Sequence, residues 1–274
     1  MPSDNKRRKP GPGPKKRKSY GRKAKQKPVA ESVRLNRFIA QSGVCSRREA
    51  DSLITEGKIK VNGKKVIEVG TKVLSSDRVE YNGKRLYFEK PVYIVLNKPK
   101  DFITSLRDER GRKTVMDLVR SAGRERIFPV GRLDKNTTGV LLLTNDGELT
   151  KQLTHPSHEV TKIYHVTVDK TIEDSHLEML RKGFDLVDGF IKADEVSRIE
   201  KGQDNELGLK LHSGRNRIVR RMMEHLGLKV LRLDRVVFAN LDKKDLPRGK
   251  WRRLDVKEIT FLKRLAKKKH GAET

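Results

Sequence analysis

Two stretches near the start of the chain have apolar residues at helical spacing. These are RLNRFIAQSG (residues 34–43) and SRREADSLITEG (46–57), and each ends in a glycine. Ser46 and Glu49 have the spacing of a capping box, in which both side chains accept hydrogen bonds from the first turn of a helix. We therefore predict two short helices before residue 58.

Alternating residues around Asn-Gly pairs follow these helices. KIKVNGKKV (58–66) and DRVEYNGKRLYF (77–88) each place Asn-Gly inside an alternating stretch, which is a strong signal for a tight hairpin. Residues 32–90 are thus predicted to form a small α+β unit.

A second set of elements begins near residue 91. The run from Val140 to Leu143 is typical of a strand buried on both faces, and helices are predicted in TVMDLV (114–119) and the basic, amphipathic RNRIVRRMMEHLG (215–227). VYIVLNKP (92–99) is predicted to be a strand that runs into a loop at residues 97–99. Further strands are predicted in KIYHVTV (162–168), ELGLKLHSG (206–214), LKVLRLDRVVFANL (228–241) and WRRLDV (251–256).

The segment NDG (145–147) is compatible with either of two structures. It has the composition of a hairpin turn, but the leucines at 149 and 153 lie one helical turn apart, and Pro156 follows them. We favour a helix with Asp146 as its N-cap.

Charge is the most unusual feature of the composition. The 274 residues carry a formal net charge of +28, and the first 30 hold twelve Lys or Arg against one Asp. This first segment has almost no apolar residues and cannot bury a core. More than half of the excess charge lies outside it, which predicts a polyanionic partner for the folded part as well.

These patterns divide the chain into four segments. We predict a disordered basic tail over residues 1–31, the α+β unit over 32–90, a larger α+β domain over 91–263 and a basic C-terminal tail over 264–274. The single cysteine, Cys45, excludes an internal disulfide and fits a reducing cytoplasm. No run of eighteen apolar residues exists, so we expect no membrane-spanning helix. We also expect the protein to be a cytoplasmic monomer without membrane contact.

Eight cations cluster around the two predicted helices and the first hairpin turn. For any one of them a solvated surface position is an equal alternative, but together, beside a basic tail, they favour contacts with RNA phosphates. The eight are Arg34, Arg37, Arg47, Arg48, Lys58, Lys60, Lys64 and Lys65.

The sequence lacks the usual cofactor and nucleophile motifs. It contains no GxxxxGK[ST], no GxGxxG after a strand and no GxSxG. His155 and His158 lie three residues apart, but Pro156 between them argues against a helical metal pair. We therefore expect no cofactor and no metal, and chemistry carried by a carboxylate, a tyrosine and basic residues.

Asp134 is the carboxylate best placed for such chemistry. It lies beside Arg132 in GRLDKNTTG (131–139), and the glycines at 131, 139 and 147 indicate sharp turns on either side. As an ordinary turn residue it would accept main-chain hydrogen bonds. At the mouth of a cleft among cations it would stay ionised and act as a nucleophile or base.

Two segments of the chain resemble known families. RLNRFIAQSGVCSRREADSLITEGKIKVNGKKV follows the helix, helix, VNG-turn order of the S4 RNA-binding domain, over roughly residues 33–80. GRLDKNTTGVLLLTNDGELTKQLTHPSHEVTKIYHV (131–166) resembles the signature of bacterial ribosomal RNA pseudouridine synthases of the RsuA/RluB type, which carry an S4 domain ahead of the catalytic domain. VLNKP, IFPVGRLD, GRNRIVRRMMEHLG and LPRGKWRRL match further blocks in order. The resemblance implies a catalytic domain built on a mixed, largely antiparallel sheet flanked by helices.

The resemblance also implies catalytic roles. Asp134 would attack a flipped-out uridine, at its ribose or at its base. Tyr164 would stack on the uracil and help to move protons, and Arg215 would pair with the aspartate.

Other residues of the matching blocks have supporting roles or none. Arg220 and Arg221 would hold phosphates or support structure, and Arg132 and Arg217 are expected to contact RNA. Ile218 stands where the family frequently has Gln or another polar residue, so no direct catalytic role is expected there.

The favoured function is site-specific isomerisation of uridine to pseudouridine in ribosomal RNA, either free or in a pre-ribosomal particle. The 23S RNA of the large subunit is preferred, with a 16S enzyme of the same type as the alternative. Two alternatives lie outside this class: a non-catalytic ribosomal RNA-binding or assembly factor, and a nucleic-acid chaperone that acts through the tail. The isomerisation exchanges a C–N bond for a C–C bond without redox or energy input, which fits a chain without cofactor motifs.

Overall fold

A computed structural model describes residues 32–267. The tail predicted over residues 1–31 lies outside the described residues, as do residues 268–274. The helices, α1–α7 in chain order, are Leu35–Gln41, Arg47–Thr55, Val115–Leu118, Gly147–Thr154, Asp174–Lys182, Ile218–His225 and Val256–Lys267. Two single turns of 3₁₀ helix span Arg120–Ala122 and Pro156–His158.

The strands of the described part are named β1–β17 in chain order. They are Ser32–Arg34, Ile59–Val61, Lys64–Val66, Lys72–Leu74, Val79–Tyr81, Lys84–Arg85, Tyr93–Lys98, Phe128–Pro129, Thr138–Thr144, Lys162–Val168, Phe184–Leu186, Gly189–Ile191, Glu195–Arg198, Glu206–Leu211, Val230–Phe238, Leu241–Asp242 and Trp251–Arg253.

The N-terminal unit forms as the sequence predicts. The capping box of α2 is present: the Ser46 amide donates to Glu49 Oε2 at 2.7 Å, and the Glu49 amide donates to Ser46 Oγ at 3.2 Å. The hairpin between β2 and β3 turns at Asn62 and Gly63, whose φ angles of 51° and 82° are those of a tight hairpin turn. The four-stranded sheet of this unit has the order β3-β2-β5-β6.

The larger domain is built on one nine-stranded sheet. Its main path is β13-β14-β10-β15-β9-β7-β17, with β16 paired to β15 and β8 to β9. Every described pair in this sheet is antiparallel except β9 and β15. The prediction of a mixed, largely antiparallel sheet is therefore confirmed.

Helices cover both faces of the sheet. Along β9, Val140 and Leu142 pack in one cluster with residues of α4 and α7, whereas Leu141 and Leu143 pack in another with residues of α3. All four leucine and valine side chains are fully buried. The continuous apolar run of β9 thus has the two-sided burial that its sequence predicts.

Gly139 permits the one parallel pairing of the sheet. A Cβ at this residue would come within 2.1 Å of the main-chain oxygen of Arg235 on β15, and the φ angle of Gly139 is 106°. Any side chain here would push β9 and β15 apart. Gly147, also predicted to mark a sharp turn, instead begins α4, where the Asp146 side chain accepts from the Leu149 amide as predicted.

The two units contact each other directly. Arg37 on α1 forms an ion pair with Glu148 on α4 at 3.3 Å. In the connecting segment, Glu89 Oε2 accepts from the Arg126 amide at 3.2 Å and from Asn145 Nδ2 at 3.3 Å. These contacts hold the N-terminal unit against the end of the larger domain that carries β9 and α4.

The predicted start of the C-terminal tail at residue 264 requires correction. Helix α7 continues to Lys267, because its buried face includes Ala266 as well as Leu262. Both side chains pack in the cluster under β7 and β9.

No helix of residues 32–267 is long and apolar enough to cross a membrane.

The packing of α7 gives a test of its place in the domain. Leu262→Ala should lower the free energy of unfolding by about 2–5 kcal/mol, because a fully buried leucine leaves a cavity when truncated. Urea denaturation measures the change. Val256→Ala, at the exposed start of the same helix, is the control and should change stability little. Equal, small effects of both variants would contradict the assigned packing.

Candidate active site

A cleft of about 170 Å³ opens where three chain segments meet: the loop before β9, strand β10, and the loop between β14 and α6. The three predicted catalytic residues, Asp134, Tyr164 and Arg215, all line it. The cleft also contains Arg132 and Arg217, which were predicted to contact RNA, and Ile218, a 5% exposed core residue at the start of α6. The structure thus brings together residues that lie up to 86 positions apart in the chain.

The loop that carries Asp134 is closely tied to its surroundings. The Thr137 amide donates to the Asp134 carbonyl at 3.1 Å, which closes a turn. The hydroxyl of Thr104 donates to the Leu133 carbonyl at 2.8 Å and accepts from the Leu133 amide at 3.2 Å. The main chain on both sides of the carboxylate is therefore fixed.

Lys98, at the end of β7, holds the same loop from inside. Its side chain is fully buried, and Nζ lies 2.8 to 3.2 Å from four main-chain carbonyl oxygens. Three of them belong to the loop, at Asp134, Lys135 and Thr137, and the fourth to Pro99. Burial lowers the pKa of Lys98 to about 8, against the attraction of Asp134 and Asp101. The sequence gives no sign of this role, since VLNKP places the lysine at the start of an apparent loop.

The Asp134 carboxylate itself faces the cleft without a direct partner. Within residues 32–267 it makes no hydrogen bond or ion pair, and the residue is half-buried. Two cations act on it through space: the Asp134 charge raises the pKa of Lys98 and that of Arg220, both of which are lowered by burial first. The arrangement leaves the carboxylate oxygens open to a ligand, with two positive charges nearby.

Tyr164 lines the same cleft from strand β10. It lies on β10 in the middle of the sheet and is 9% exposed. Next to it on β15 is the buried Arg235, whose Nε donates to the Val140 carbonyl at 2.9 Å. Burial lowers the pKa of the Arg235 guanidinium, and the Tyr164 hydroxyl beside it acts in the opposite direction. Tyr164 thus offers the cleft a ring held in place by its neighbours.

Arg215 does not pair with Asp134 among the described contacts, contrary to the prediction. Its guanidinium donates to the carbonyls of Gly189 and Phe190 at 2.9 and 3.0 Å, in the hairpin β11–β12, and lies 3.6 Å from Asp188. Arg220, expected to hold phosphates or support structure, is the arginine of this block whose charge interacts with Asp134. Sequence spacing does not separate the two arginines, because the hairpin that engages Arg215 lies about 25 residues earlier in the chain.

Lys162 is a cleft residue that the sequence interpretation missed. It lies two positions before Tyr164 on β10, and its Nζ donates to the His212 carbonyl at 2.6 Å. Burial, followed by the nearby Arg235 charge, lowers its pKa to about 8. The sequence did contain a signal for Lys162. Residues two apart on a strand share a face, so Lys162 could be expected on the same face as Tyr164.

The twelve predicted RNA-binding cations fall into two groups. Three are half-buried and donate to protein acceptors: Arg37 to Glu148, Arg220 to the Val230 carbonyl at 3.2 Å, and Arg221 to Asp188. The other nine have exposed side chains, and they are Arg34, Arg47, Arg48, Lys58, Lys60, Lys64, Lys65, Arg132 and Arg217. Of these, Lys58 also forms an exposed ion pair with Glu56.

Metal-ligating side chains do not gather in the described part of the chain. Residues 32–267 contain no group of three or more His, Cys, Asp or Glu side chains that would hold a metal ion. His155 accepts from the Ser157 amide at 3.3 Å and caps the 3₁₀ turn that follows it, which gives this histidine a local structural role.

Comparison with known proteins gives two family matches. Residues 92–225 match the RNA pseudouridylate synthase family, and residues 33–79 match the S4 domain. These ranges lie inside the segments predicted from the sequence, 91–263 and 32–90.

Individual relatives are similar over most of their length. The chain is 44% identical to the ribosomal large subunit pseudouridine synthase B of Bacillus subtilis, over 85% of this chain and 96% of the relative. It is 36% identical to the dual-specificity RNA pseudouridine synthase RluF of Shigella flexneri, over 85% and 79%. A crystal structure of a pseudouridylate synthase superposes with a TM-score of 0.60 and 28% identity, over 84% of this chain and 99% of that one.

The contacts of Lys98 generate a testable prediction about the loop. In Lys98→Met, amide hydrogen exchange at Thr137 should accelerate on the order of tenfold or more, because hydrogen bonds from a charged donor contribute about 1.5–3 kcal/mol. In the wild type, exchange corrected for its intrinsic pH dependence should slow as the pH rises through 8 towards 9. Burial lowers the pKa of Lys98 to about 8, so the closed loop carries the cost of a buried ammonium below this pH and loses that cost above it, whereas an opened loop returns Lys98 to water and to its usual pKa.

The matched control is Lys135→Met. Lys135 belongs to the same loop, but its exposed Nζ lies 3.9 Å from Asp101 and contacts no loop carbonyl. In Lys135→Met, amide exchange at Thr137 should match that of the wild type. Exchange at the amides that pair β7 with β9 reports global stability and shows whether Lys98→Met is folded. If that variant is folded and exchange at Thr137 is unchanged, Lys98 does not hold the loop.

Proposed function

The chain belongs to the RNA pseudouridylate synthase family, and we propose that its substrate is a specific uridine of ribosomal RNA, with the 23S RNA favoured. The Bacillus subtilis relative is named for the large ribosomal subunit and aligns with almost its whole length. The chain also combines the S4 match with a net charge of +28. Both features suit a large, structured polyanion.

One observation carries this proposal most directly: a carboxylate without a hydrogen-bond partner lies in a cleft that a buried tyrosine and several cations also line. A pure RNA-binding protein gains nothing from Asp134 in this position, because a negative charge repels phosphates. A glycosyl reaction requires such a group, since a carboxylate stabilises or traps the cationic sugar carbon.

The reaction can be followed bond by bond with these residues. The target uridine leaves its stack and enters the cleft, at a cost of a few kcal/mol. Asp134 attacks the ribose or the base, the N1–C1′ bond breaks, and the base turns until C5 faces C1′. The C5–C1′ bond then forms and the bond to Asp134 breaks, which returns the carboxylate. C5 loses its proton and N1 gains one, so the product is an isomer of the substrate. Tyr164 stacks against the base while it is detached.

We assign the charge balance of this step to Lys98 and Arg220. Asp134 loses its charge if it forms an ester and regains the charge when that bond breaks, so nearby fixed cations stabilise the charge that develops on the departing carboxylate. The two cations are held by main-chain carbonyls. Arg215, in contrast, is proposed to hold the hairpin β11–β12 at the rim of the cleft.

The N-terminal unit is proposed to hold the RNA away from the cleft. Its exposed cations at residues 34, 47, 48, 58, 60, 64 and 65 would contact phosphates, as would Arg132 and Arg217 beside the cleft. We further propose that residues 32–90 and the catalytic domain bind one RNA as a monomer in the bacterial cytoplasm, on free ribosomal RNA or a pre-ribosomal particle.

Release of tritium from uracil C5 tests the proposed reaction. Transcripts of 23S and 16S RNA labelled at C5 are incubated with the wild type and with Asp134→Asn. We expect release from the 23S transcript by the wild type alone, and retained RNA binding by the variant, because the carboxylamide keeps the shape of Asp134 without its charge.

The other outcomes are equally informative. Release from the 16S transcript alone would assign the enzyme to the small subunit. Tight binding without release from either transcript or from pre-ribosomal particles would favour a ribosome-assembly factor over an enzyme.

A second prediction separates the two arginines. Arg220→Met should lower the single-turnover rate constant at saturating enzyme on the order of 100-fold, the usual cost of removing one electrostatic contact from an active site. Arg215→Met should mainly weaken RNA binding, because its guanidinium supports the hairpin and not Asp134. The reverse pattern would restore the pairing of Arg215 with Asp134 implied by the sequence.

A further inference from the structure

A second depression, of about 520 Å³, lies beside the catalytic cleft. It is bounded by the end of α4 and the 3₁₀ turn Pro156–His158 on one side, and by the hairpin β11–β12 on the other. The two spaces are continuous, because six residues line both of them: Leu153, Thr154, Lys162, Ser213, Gly214 and Arg215. A nucleic-acid strand bound in the catalytic cleft can therefore continue directly into this side depression.

Phe190 presents an aromatic ring to the side depression. In β12 the neighbouring Ile191 is 5% exposed and points into the core, so Phe190 points to the other face, where it is 52% exposed. The ring also lies close against bare main chain: a Cβ at Gly183 would come within 2.5 Å of Phe190 Cζ. The ring therefore has a supported position although half of it meets solvent.

The hairpin that carries Phe190 is fixed to the catalytic domain by two arginines. Arg215 donates to the carbonyls of Gly189 and Phe190, and Arg221 donates with both terminal nitrogens to Asp188 at the turn. The loop and helix that supply these arginines also form a wall of the catalytic cleft. Phe190 is thus held at a set position relative to Asp134.

The lining of the side depression is cationic. Lys162, Lys192 and Arg215 belong to it, together with His155 and His212, and Glu159 is the one acidic residue among the lining residues. The His212 ring is held by Asp194, whose Oδ1 lies 2.6 Å from Nδ1. Positive charge beside an exposed ring is the combination with which proteins bind single-stranded nucleic acid.

We propose that the side depression binds the nucleotide adjacent to the target uridine, with its base stacked on Phe190 and its phosphate beside Lys162 and Lys192. When the target base leaves the stack, the neighbouring base loses a stacking partner, and an aromatic side chain replaces it. The inference depends on the proposed function, because it places the target uridine in the catalytic cleft.

Binding of short RNA tests the stacking contact. The probes are a nine-residue oligouridylate and an abasic oligomer with the same number of phosphates. Phe190→Ala should bind oligouridylate about tenfold more weakly than the wild type, which is the effect of one base–aromatic stack, and should bind the abasic oligomer equally well. Val187→Ala, at the fully exposed tip of the same hairpin and outside the depression, should behave like the wild type.

Fluorescence of Phe190→Trp gives a readout that a merely structural role would not move. Oligouridylate should quench this variant beyond the change seen in the wild type, whose one tryptophan is Trp251, and the abasic oligomer should not. The inference is overturned if Phe190→Ala binds oligouridylate as the wild type does, or if both oligomers quench alike.

The position of the contact is tested on the ribosomal RNA fragment that releases tritium. Replacing one neighbour of the target uridine by an abasic nucleotide should weaken wild-type binding about tenfold and leave Phe190→Ala unaffected. Equal losses in both proteins at each neighbour would place Phe190 elsewhere on the RNA and overturn the assignment. Tritium release at saturating enzyme reports the proposed function separately: quenching without release would refute the reaction, whereas release without quenching would refute the subsite.

Discussion

The hydrogen bonds of the buried Lys98 ammonium are the interaction on which the geometry of the candidate active site depends. A charge removed from water is tolerated only where hydrogen bonds replace its hydration. Here the acceptors are main-chain carbonyls, and three of the four belong to the loop of Asp134. The end of β7 and the start of β9 must therefore form together. An apolar residue at position 98 would remove the side-chain donor of the Thr137 carbonyl and one of two donors of the Asp134 and Lys135 carbonyls, so the lysine fixes the loop as well as contributing a charge near the carboxylate.

The junction between the two halves of the sheet depends on a second charged group. Asp234 on β15 accepts from Thr138 at 3.0 Å and from Arg248 at 3.1 Å, and it is paired with Lys243. Burial raises the pKa of Asp234, but these hydrogen bonds hold it below its usual value. Arg248 also donates to Asn97, next to Lys98. These contacts therefore stabilise the parallel pairing of β9 with β15, for which Gly139 leaves room. Because the loop of Asp134 precedes β9 and Tyr164 lies on the strand next to β15, the same contacts keep Asp134 and Tyr164 at a fixed spacing.

Local signals made much of the fold predictable from the sequence. The capping box at Ser46, the Asn-Gly hairpins and the N-cap at Asp146 each need only a few neighbouring residues, and the structure contains all of them. Strands β11–β13 were not predicted, because they are too short to show a clear period. Helices α5 and α7 were missed although their signals were present: in α5, Leu177 and Leu180 lie one turn apart and Gly183 follows the helix. Which arginine acts on Asp134 was not predictable for a different reason. Arg215 and Arg220 occupy one basic block, and only the placement of the distant hairpin β11–β12 shows that Arg215 is held away from the carboxylate.

The cations fall into two groups, those that bind protein acceptors and those with exposed side chains. This division explains how so basic a chain can hold the Asp134 carboxylate at a fixed position. Cations with main-chain or carboxylate partners, such as Lys98, Arg220 and Arg221, cannot follow a phosphate without losing those partners, so they act as fixed charges and supports. Cations with exposed side chains, such as Arg47 and Lys60, lose only hydration when they bind RNA and release its counterions. The net charge therefore overstates the number of RNA contacts. Under the proposed function, the salt dependence of binding should reflect the exposed cations of the N-terminal unit, and the reaction rate should reflect Lys98 and Arg220, the fixed cations around Asp134.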